Sequence, residues 1–302
     1  MSIGFVGAGK VGCSFGKYLS LNGVGLSGYH SESSASAAFA AEFTGSGAFE
    51  DAAALVGASD LVILSVPDDR LEGVWEKLKR GDIAGKAFFH TSGSRTSDLF
   101  SGANEKGARG ASVHPLMAIP DKLDSHRLLR GAFFTLEGDP AATVPLKEIL
   151  TRLGNVVCDI DKSQKVLYHC AASVVSNFSV ALARFGAEIF ESVGLSRAAD
   201  GLFGLMKNNA VSVASLGPVK ALTGPIERGD LGTVKAHLSV LSGEDKILYG
   251  LLAKKLAKVA GLKHPDRDYG AMTRFLEEET EKSRAADAPG DPAGPPAGSP
   301  GD

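Results

Sequence analysis

Three groups of residues in this 302-residue chain have the types and spacing to do chemistry. The first runs Lys165-Val166-Leu167-Tyr168-His169-Cys170-Ala171-Ala172-Ser173-Val174-Val175-Ser176-Asn177. On a helix, His169, Ser173, Ser176 and Asn177 share one face about 100° wide. They offer an imidazole for proton transfer, and hydroxyl and amide groups to hold a carbonyl or carboxylate. The flanking residues are Ala, Val, Leu and Phe, as in a helix buried in its own domain, so the polar four need partners: side chains, water or a ligand. The second group is His90 in Phe89-His90-Thr91-Ser92-Gly93 and His114 in Val113-His114-Pro115-Leu116, each after a short apolar run. Imidazole suits proton transfer near pH 7, and a histidine satisfied by structural hydrogen bonds is the competing account of each. Ser92, at the same strand end as His90, is a candidate substrate contact. The third group is glycine-rich, Gly4-Phe5-Val6-Gly7-Ala8-Gly9-Lys10-Val11-Gly12. Here a G-x-G-x-x-G pattern follows an apolar strand and precedes a helix, as dinucleotide binding requires. Gly7 allows the tight turn, Gly9 lets a pyrophosphate approach, and Gly12 lets helix and strand pack closely. Ala8, Lys10 and Val11 complete the loop, and the helix start points its free N–H groups at the phosphates.

The elements that must position these groups alternate. Apolar strands are read at residues 3–6, 25–30, 61–66, 87–91, 111–114, 132–136 and 156–160, with helices at 10–21, 35–43, 70–79 and 141–153 among them. Such alternation predicts a mostly parallel sheet covered by helices, with ligands beyond the carboxyl ends of the strands. The second strand ends at His30-Ser31-Glu32-Ser33. His30, Ser31 and Ser33 are small or potentially cationic and leave room for a 2′-phosphate, whereas Glu32 is of the type that binds ribose hydroxyls. NADP is therefore expected, with NAD possible. Val66-Pro67-Asp68 makes a sharp strand exit over the dinucleotide, with Asp68 read as the cap of the next helix.

From about residue 161 long helical segments follow, at 163–193, 196–215, 229–241 and 244–260, which predicts a second, all-α domain. Within it Thr223-Gly224-Pro225 forces a tight turn where Thr223 can donate to a carboxylate or carbonyl. A rigid interhelical corner is the alternative, with Arg228 and Asp230 anchoring the next helix. Glu277-Glu278-Glu279 reads as the solvated end of the last helix. Residues 283–302 are Ala-, Pro-, Gly- and Asp-rich with no large apolar residue, the composition of a disordered tail. The expected division is thus 1–160 for dinucleotide binding, 161–282 for substrate and dimerisation, and 283–302 as tail.

A formal charge of -3 gives no reason to expect nucleic acid or an anionic membrane as partner. The three cysteines, Cys13, Cys158 and Cys170, have no C-x-x-C or metal-ligand spacing, so no metal is expected and a reducing, cytoplasmic setting is. No signal peptide is read before the first strand, and no apolar run is read as approaching a membrane span.

Taken together, Gly7 to Gly12, Ser65-Val66-Pro67-Asp68, His90-Thr91-Ser92-Gly93, His114-Pro115-Leu116, the His169 to Asn177 stretch and Leu222-Thr223-Gly224-Pro225-Ile226 with Arg228-Gly229-Asp230 resemble a bacterial family. Its members join a Rossmann-like domain to a helical domain named DUF2520. The resemblance spans roughly residues 3–262, and the Thr-Gly-Pro-Ile-x-Arg-Gly-Asp block is its most specific part. It implies an α/β fold, a Rossmann-type doubly wound sheet followed by an all-α domain, and a homodimer through the helical domain. The family is similar in layout to ketopantoate reductases, pyrroline-5-carboxylate reductases and 6-phosphogluconate-type dehydrogenases. That similarity implies NADP-dependent reduction of a small oxo or imino acid, with 2-dehydropantoate (ketopantoate) the specific expectation. The His-Pro step also resembles that of prephenate dehydrogenases. A non-catalytic dinucleotide-binding sensor is the rival from another class. The family often carries Arg where this chain has Glu32, and many relatives use a Lys four residues before an Asn as catalytic acid. Here His169 or His114 is expected to supply the proton, with Asn177, Ser173 and Thr223 holding the substrate, and Lys165 lies one turn before His169 on the same face.

Overall fold

The computed structural model describes residues 1–286. The chain forms two compact units, Met1–Ala181 and a second that begins at Leu182. Their boundary falls inside one long helix rather than at residue 160, where the sequence texture changes.

Eight strands form the sheet of the first unit. They are β1 (Ile3–Val6), β2 (Leu26–His30), β3 (Gly47–Ala48), β4 (Leu61–Leu64), β5 (Ala87–His90), β6 (Arg109–Pro115), β7 (Phe133–Gly138) and β8 (Val156–Asp159). Their order is β3-β2-β1-β4-β5-β6-β7-β8, parallel except between β6 and β7. Chain order reverses between β1 and β4, and that switch point is where doubly wound sheets open a crevice at their carboxyl ends. Strands β1 and β4, Ile-Gly-Phe-Val and Leu-Val-Ile-Leu, are buried throughout, the pattern of strands covered on both faces. The covering helices are α1 (Lys10–Leu21), α2 (Ser34–Thr44), α3 (Ala52–Gly57), α4 (Asp68–Leu78) and α5 (Pro140–Arg152). One apolar layer gathers Phe5, Phe15, Leu19 and Phe134, and the other Leu71, Trp75, Phe88 and Phe100. In the second layer Trp75 meets Phe100 edge-on, with ring centroids 5.1 Å apart.

Two features of the sheet differ from the sequence reading. Strand β3 has only two residues, too few to carry a period-two pattern. The β6–β7 pair is antiparallel, and the connection between the two strands holds only a 3-10 turn, Ser125–Leu129, with no α-helix of the kind that usually carries a parallel crossover.

Helix α6 (Lys165–Ser192) begins in the first unit. The expectation that its apolar residues are buried in their own domain is corrected. Val166, Leu167, Val175 and Phe178 are 68%, 75%, 77% and 58% exposed. The expectation of no span-length apolar run is corrected too. Lys162–Ser192 is long and apolar enough to cross a membrane by length and composition, with a mean hydropathy of 1.5 over an 18-residue window. Its Ser, His and Asn residues interrupt the apolar run, yet the Ala, Val, Leu and Phe around them keep the average high.

The second unit continues with α7 (Ala199–Ala221), α8 (Pro225–Arg228), α9 (Leu231–Val240), α10 (Gly243–Lys263) and α11 (Gly270–Ala286). Ile226, Val234, Leu238, Met272 and Leu276 form its core. The Thr-Gly-Pro block is the corner between α7 and α9. Gly224 takes φ 102°, and Asp230 caps α9 by accepting from the Thr233 N–H at 3.0 Å. Residues 283–286 of the expected tail instead complete α11, and 287–302 lie outside the described residues.

Candidate active site

The glycines of the β1–α1 turn separate by what each is needed for. Gly7 has φ 108°, and a Cβ there would lie 2.8 Å from the Ser65 carbonyl oxygen. A Cβ on Gly12 would lie 2.6 Å from the Gly7 carbonyl oxygen and press on the Ser65 hydroxyl, which itself donates to Gly7 O at 2.9 Å. Gly9 is different. Its φ of −79° suits any residue, and the nearest atom to a Cβ would be 3.9 Å away. Neither backbone nor packing asks for glycine at position 9, and no side chain caps α1 there. The clear space therefore sits over the unsatisfied N–H groups of a helix start, where a pyrophosphate fits.

That turn opens on a cleft of about 250 Å³, also lined by His30, Ser31, Val66, Pro67 and Arg70. Ala8 is buried in the turn, and Lys10 and Val11 form the first turn of α1, with Lys10 exposed. The His30 ring faces the Phe49 carbonyl at 3.1 Å, and Arg70 pairs with Glu32 at 3.5 Å across the cleft edge. Ser33 is drawn into the fold instead, accepting from the Ser36 N–H as the cap of α2. Asp68 does not cap α4, whose N-cap is Pro67. Its carboxylate accepts from the Ser92 hydroxyl at 2.7 Å, because the β5 loop offers a nearby donor.

A second cleft, of about 550 Å³, is lined by His114, Met117, His169, Ser173, Ser176 and Asn177 among others. Four residues of one α6 face are thus brought together with the end of β6, as the periodicity predicts. Ser92 does not line this wall. Its hydroxyl serves Asp68 and accepts the Arg95 N–H at 3.1 Å. Thr223 stands exposed in the α7–α8 turn of the second unit.

Behind the cleft lies the residue whose part sequence reasoning missed. Lys165 is fully buried, and its Nζ donates to Ser112 Oγ at 2.7 Å and to the Ser92 carbonyl at 3.2 Å. Burial pushes its ammonium down to about 8, with the Glu137 and Asp68 carboxylates opposing the shift. Ser112 in turn donates to Glu137 Oε2 at 3.1 Å, and Ser97 supplies Glu137 with its N–H at 2.9 Å and its hydroxyl at 2.6 Å. Spacing puts it on the face of His169 and Ser173, but nothing local signals its burial.

The two strand-end histidines part company. His114 Nδ1 meets the Tyr168 hydroxyl at 2.8 Å, and its ring stands edge-on to His169 with centroids 5.9 Å apart. A Cβ on Gly93 would lie 2.9 Å from His114 Nε2 and press on the His169 ring, so glycine there permits the constellation. Burial first, then the charge of Lys165 and the presence of His169, push His114 down to about 4. Neutral at pH 7, it can hydrogen-bond but is not a stored proton. His90 is fully buried, faces the Thr96 carbonyl at 3.1 Å through Nε2 and stacks on Phe100. Burial and Lys165 hold it near 4 as well, and it lines neither cleft.

A family model described as a Rossmann-like domain matches residues 1–115, and that of DUF2520, a domain of unknown function, matches residues 132–256. No curated protein matches the sequence. Among solved structures, BF3122 of Bacteroides fragilis, a candidate NADP oxidoreductase, is 24% identical with a TM-score of 0.68, over 85% of this chain and 98% of that one. TM1727 of Thermotoga maritima is 26% identical with a TM-score of 0.64, over 93% and 99%. A reductive aminase from Aspergillus terreus in complex with NADPH and ethyl-5-oxohexanoate is 18% identical with a TM-score of 0.59, over 94% of each chain. Both domains are thus present in order along one chain, and the chain belongs to the family that joins a Rossmann-like domain to a DUF2520 domain.

Proposed function

We propose that this protein is an NADP-dependent oxidoreductase that reduces a small carbonyl or imine compound. The observation that carries the reading is Gly9, a glycine demanded by neither backbone nor packing, standing clear over the α1 N-terminus. The fold shared with NADPH-bound reductases supports it. Arg70, on the wall of the same cleft, is a cation for the 2′-phosphate and stands in for the arginine absent from the β2 tip. Glu32 beside it leaves NAD as a weaker second cofactor. When bound, the nicotinamide supplies a hydride to the substrate carbon.

The chain's own residues supply the rest. Lys165 holds a proton one helical turn from His169, and with a value near 8 its ammonium is charged at neutral pH yet ready to give the proton up. His169, Ser173 and Asn177 orient the substrate on the α6 face, and Tyr168 fixes the His114 ring. His169 is thus an orienting group, and the proton donor is Lys165.

Two substrate readings stand. Ketopantoate is the specific 2-oxo acid, with the hydroxyls and amide of α6 to bind its carboxylate. The cleft wall favours an uncharged imine or ketone: it includes Leu116, Met117 and Val175 and no Lys or Arg. The exposed Leu167 and Phe178, on one side of α6, support a homodimer in which a second copy covers them. A bilayer suits this helix less well, because its other face carries His169, Ser173, Ser176 and Asn177. The three free cysteines support a reducing, cytoplasmic setting.

The test follows NADPH and NADH absorbance against ketopantoate, pyrroline-5-carboxylate, prephenate and uncharged cyclic imines. Turnover with NADPH preferred supports the reading. Tight NADPH binding with no turnover moves it to a sensor, and no binding of either nucleotide ends it.

A further inference from the structure

Buried polar chains are costly unless every member is satisfied, and this one is long and continuous. Lys165 Nζ donates to Ser112 Oγ at 2.7 Å, Ser112 to Glu137 Oε2 at 3.1 Å, and Ser97 Oγ to Glu137 Oε1 at 2.6 Å. Lys165 and Ser112 are fully buried and Glu137 is 5% exposed. At its far end Ser97 lines a groove of about 580 Å³ with Asp98 and Asp139, and that groove shares no lining residue with the His114–His169 cleft. The Glu137 carboxylate, on β7, does not line the cleft. Lys165 is fully buried and lines neither cleft, so while a product fills the cleft its proton has to return from behind. We propose that Ser112, Glu137 and Ser97 form a back-door relay that returns a solvent proton to Lys165 from the groove on the far side of the site.

The step balances as follows. Hydride adds to the carbonyl carbon, and the developing alkoxide takes a proton from the Lys165 ammonium, leaving a neutral amine. The amine takes the Ser112 hydroxyl proton as Ser112 takes one from the Glu137 carboxylic acid. Glu137 has first taken that proton on Oε1 from the Ser97 hydroxyl, which regains one from groove water, and a half-turn of the carboxyl carries it round to Ser112, so each turnover consumes one solvent proton.

The inference rests on Lys165 as proton donor, and the experiment separates the two. Glu137→Gln also removes a charge that supports the Lys165 ammonium, so the reaction is run at about pH 6, where Lys165 starts protonated in both this variant and Ser112→Ala. The first turnover in stopped flow should therefore keep its wild-type rate and amplitude. Later turnovers should slow at least about tenfold, with a larger solvent deuterium effect. NADPH affinity and melting temperature, measured alongside, identify a variant that has lost its fold; the isosteric Glu137→Gln is the safer of the two. Equal slowing of first and later turnovers overturns the relay and leaves Ser112 and Glu137 as mere props for Lys165. Unchanged kinetics in both variants overturn it outright. If Lys165→Met retains wild-type turnover, or the wild type turns over no substrate, the donor reading itself has failed.

Discussion

Replacing Lys165 by methionine sets stability against activity, and the structure gives both magnitudes. The side chain is fully buried, and its ammonium is pushed from the ordinary 10.5 to about 8. That displacement corresponds to about 3 kcal/mol by which folding disfavours the charged form. Below pH 8 both folded and unfolded chains carry the proton, so the penalty is in full force. Between about 8 and 10.5 only the unfolded chain binds it, and wild-type stability from this group rises with pH until the penalty is gone. Methionine removes the penalty but forfeits the hydrogen bonds to Ser112 Oγ and Ser92 O, about 1 kcal/mol each. The variant should therefore be more stable than wild type at pH 7 by about 1 kcal/mol, a melting rise of about 2–4 °C, and lose that advantage above pH 10.

Activity should move the other way. Loss of a general acid costs about 10²–10⁴-fold in turnover. In the wild type, reduction requires the protonated amine, so its rate should be flat below pH 8 and fall about tenfold per pH unit above it. Thermal melts at pH 7 and pH 10, beside NADPH-oxidation rates from pH 6 to 10, read all of this. A variant that melts well below the wild type while retaining its turnover would refute the reasoning and make Lys165 a structural tie.

Gly9→Ala should leave the melting temperature unchanged yet weaken NADPH binding at least about tenfold, because its Cβ meets only open space where a phosphate would lie. Gly12→Ala should instead destabilise the fold, because its Cβ meets Gly7 O and Ser65; calorimetry with melting separates the two, and equal binding in Gly9→Ala and wild type defeats the first expectation. His90 and His114, both held near 4, remain neutral in the fold while the unfolded chain takes up protons below 6.5. Stability should thus fall as pH drops from 6.5 to 4, by up to about 3 kcal/mol per histidine; urea unfolding with equal stability at pH 7 and pH 5 would contradict it.

What was legible in the sequence followed from local rules. The glycine turn states its own geometry, since Gly7 needs a positive φ and Gly12 a close approach, and both needs can be read from spacing alone. The α6 face was legible for the same reason: His169, Ser173, Ser176 and Asn177 recur at helical intervals, and the cleft they line is the consequence. Asp68 misled because a carboxylate after a Val-Pro exit is a good cap on local grounds, while its actual partner, Ser92, is 24 residues away. The exposed Val and Leu residues of α6 misled in a related way. Apolar composition reports that a surface seeks cover, not whether its own chain provides it.

Lys165 shows why a site centre can be the least legible part. Its neighbours in sequence are Gln164 and Val166, and nothing local distinguishes it from a solvated lysine at a helix start. What singles it out is the sheet. Antiparallel β6–β7 pairing sets Ser112 directly opposite Glu137, while the parallel β5–β6 pair sets His90 beside Ser112 and brings the Ser92 carbonyl within reach. A lysine entering there meets a hydroxyl, a carbonyl and, beyond the hydroxyl, a carboxylate, and these partners make its burial tolerable. Remove the strand reversal between β6 and β7, and Glu137 has no reason to face Ser112. The antiparallel return that local patterns could not foresee is thus the feature that gives this lysine its carboxylate and keeps its proton near neutral pH.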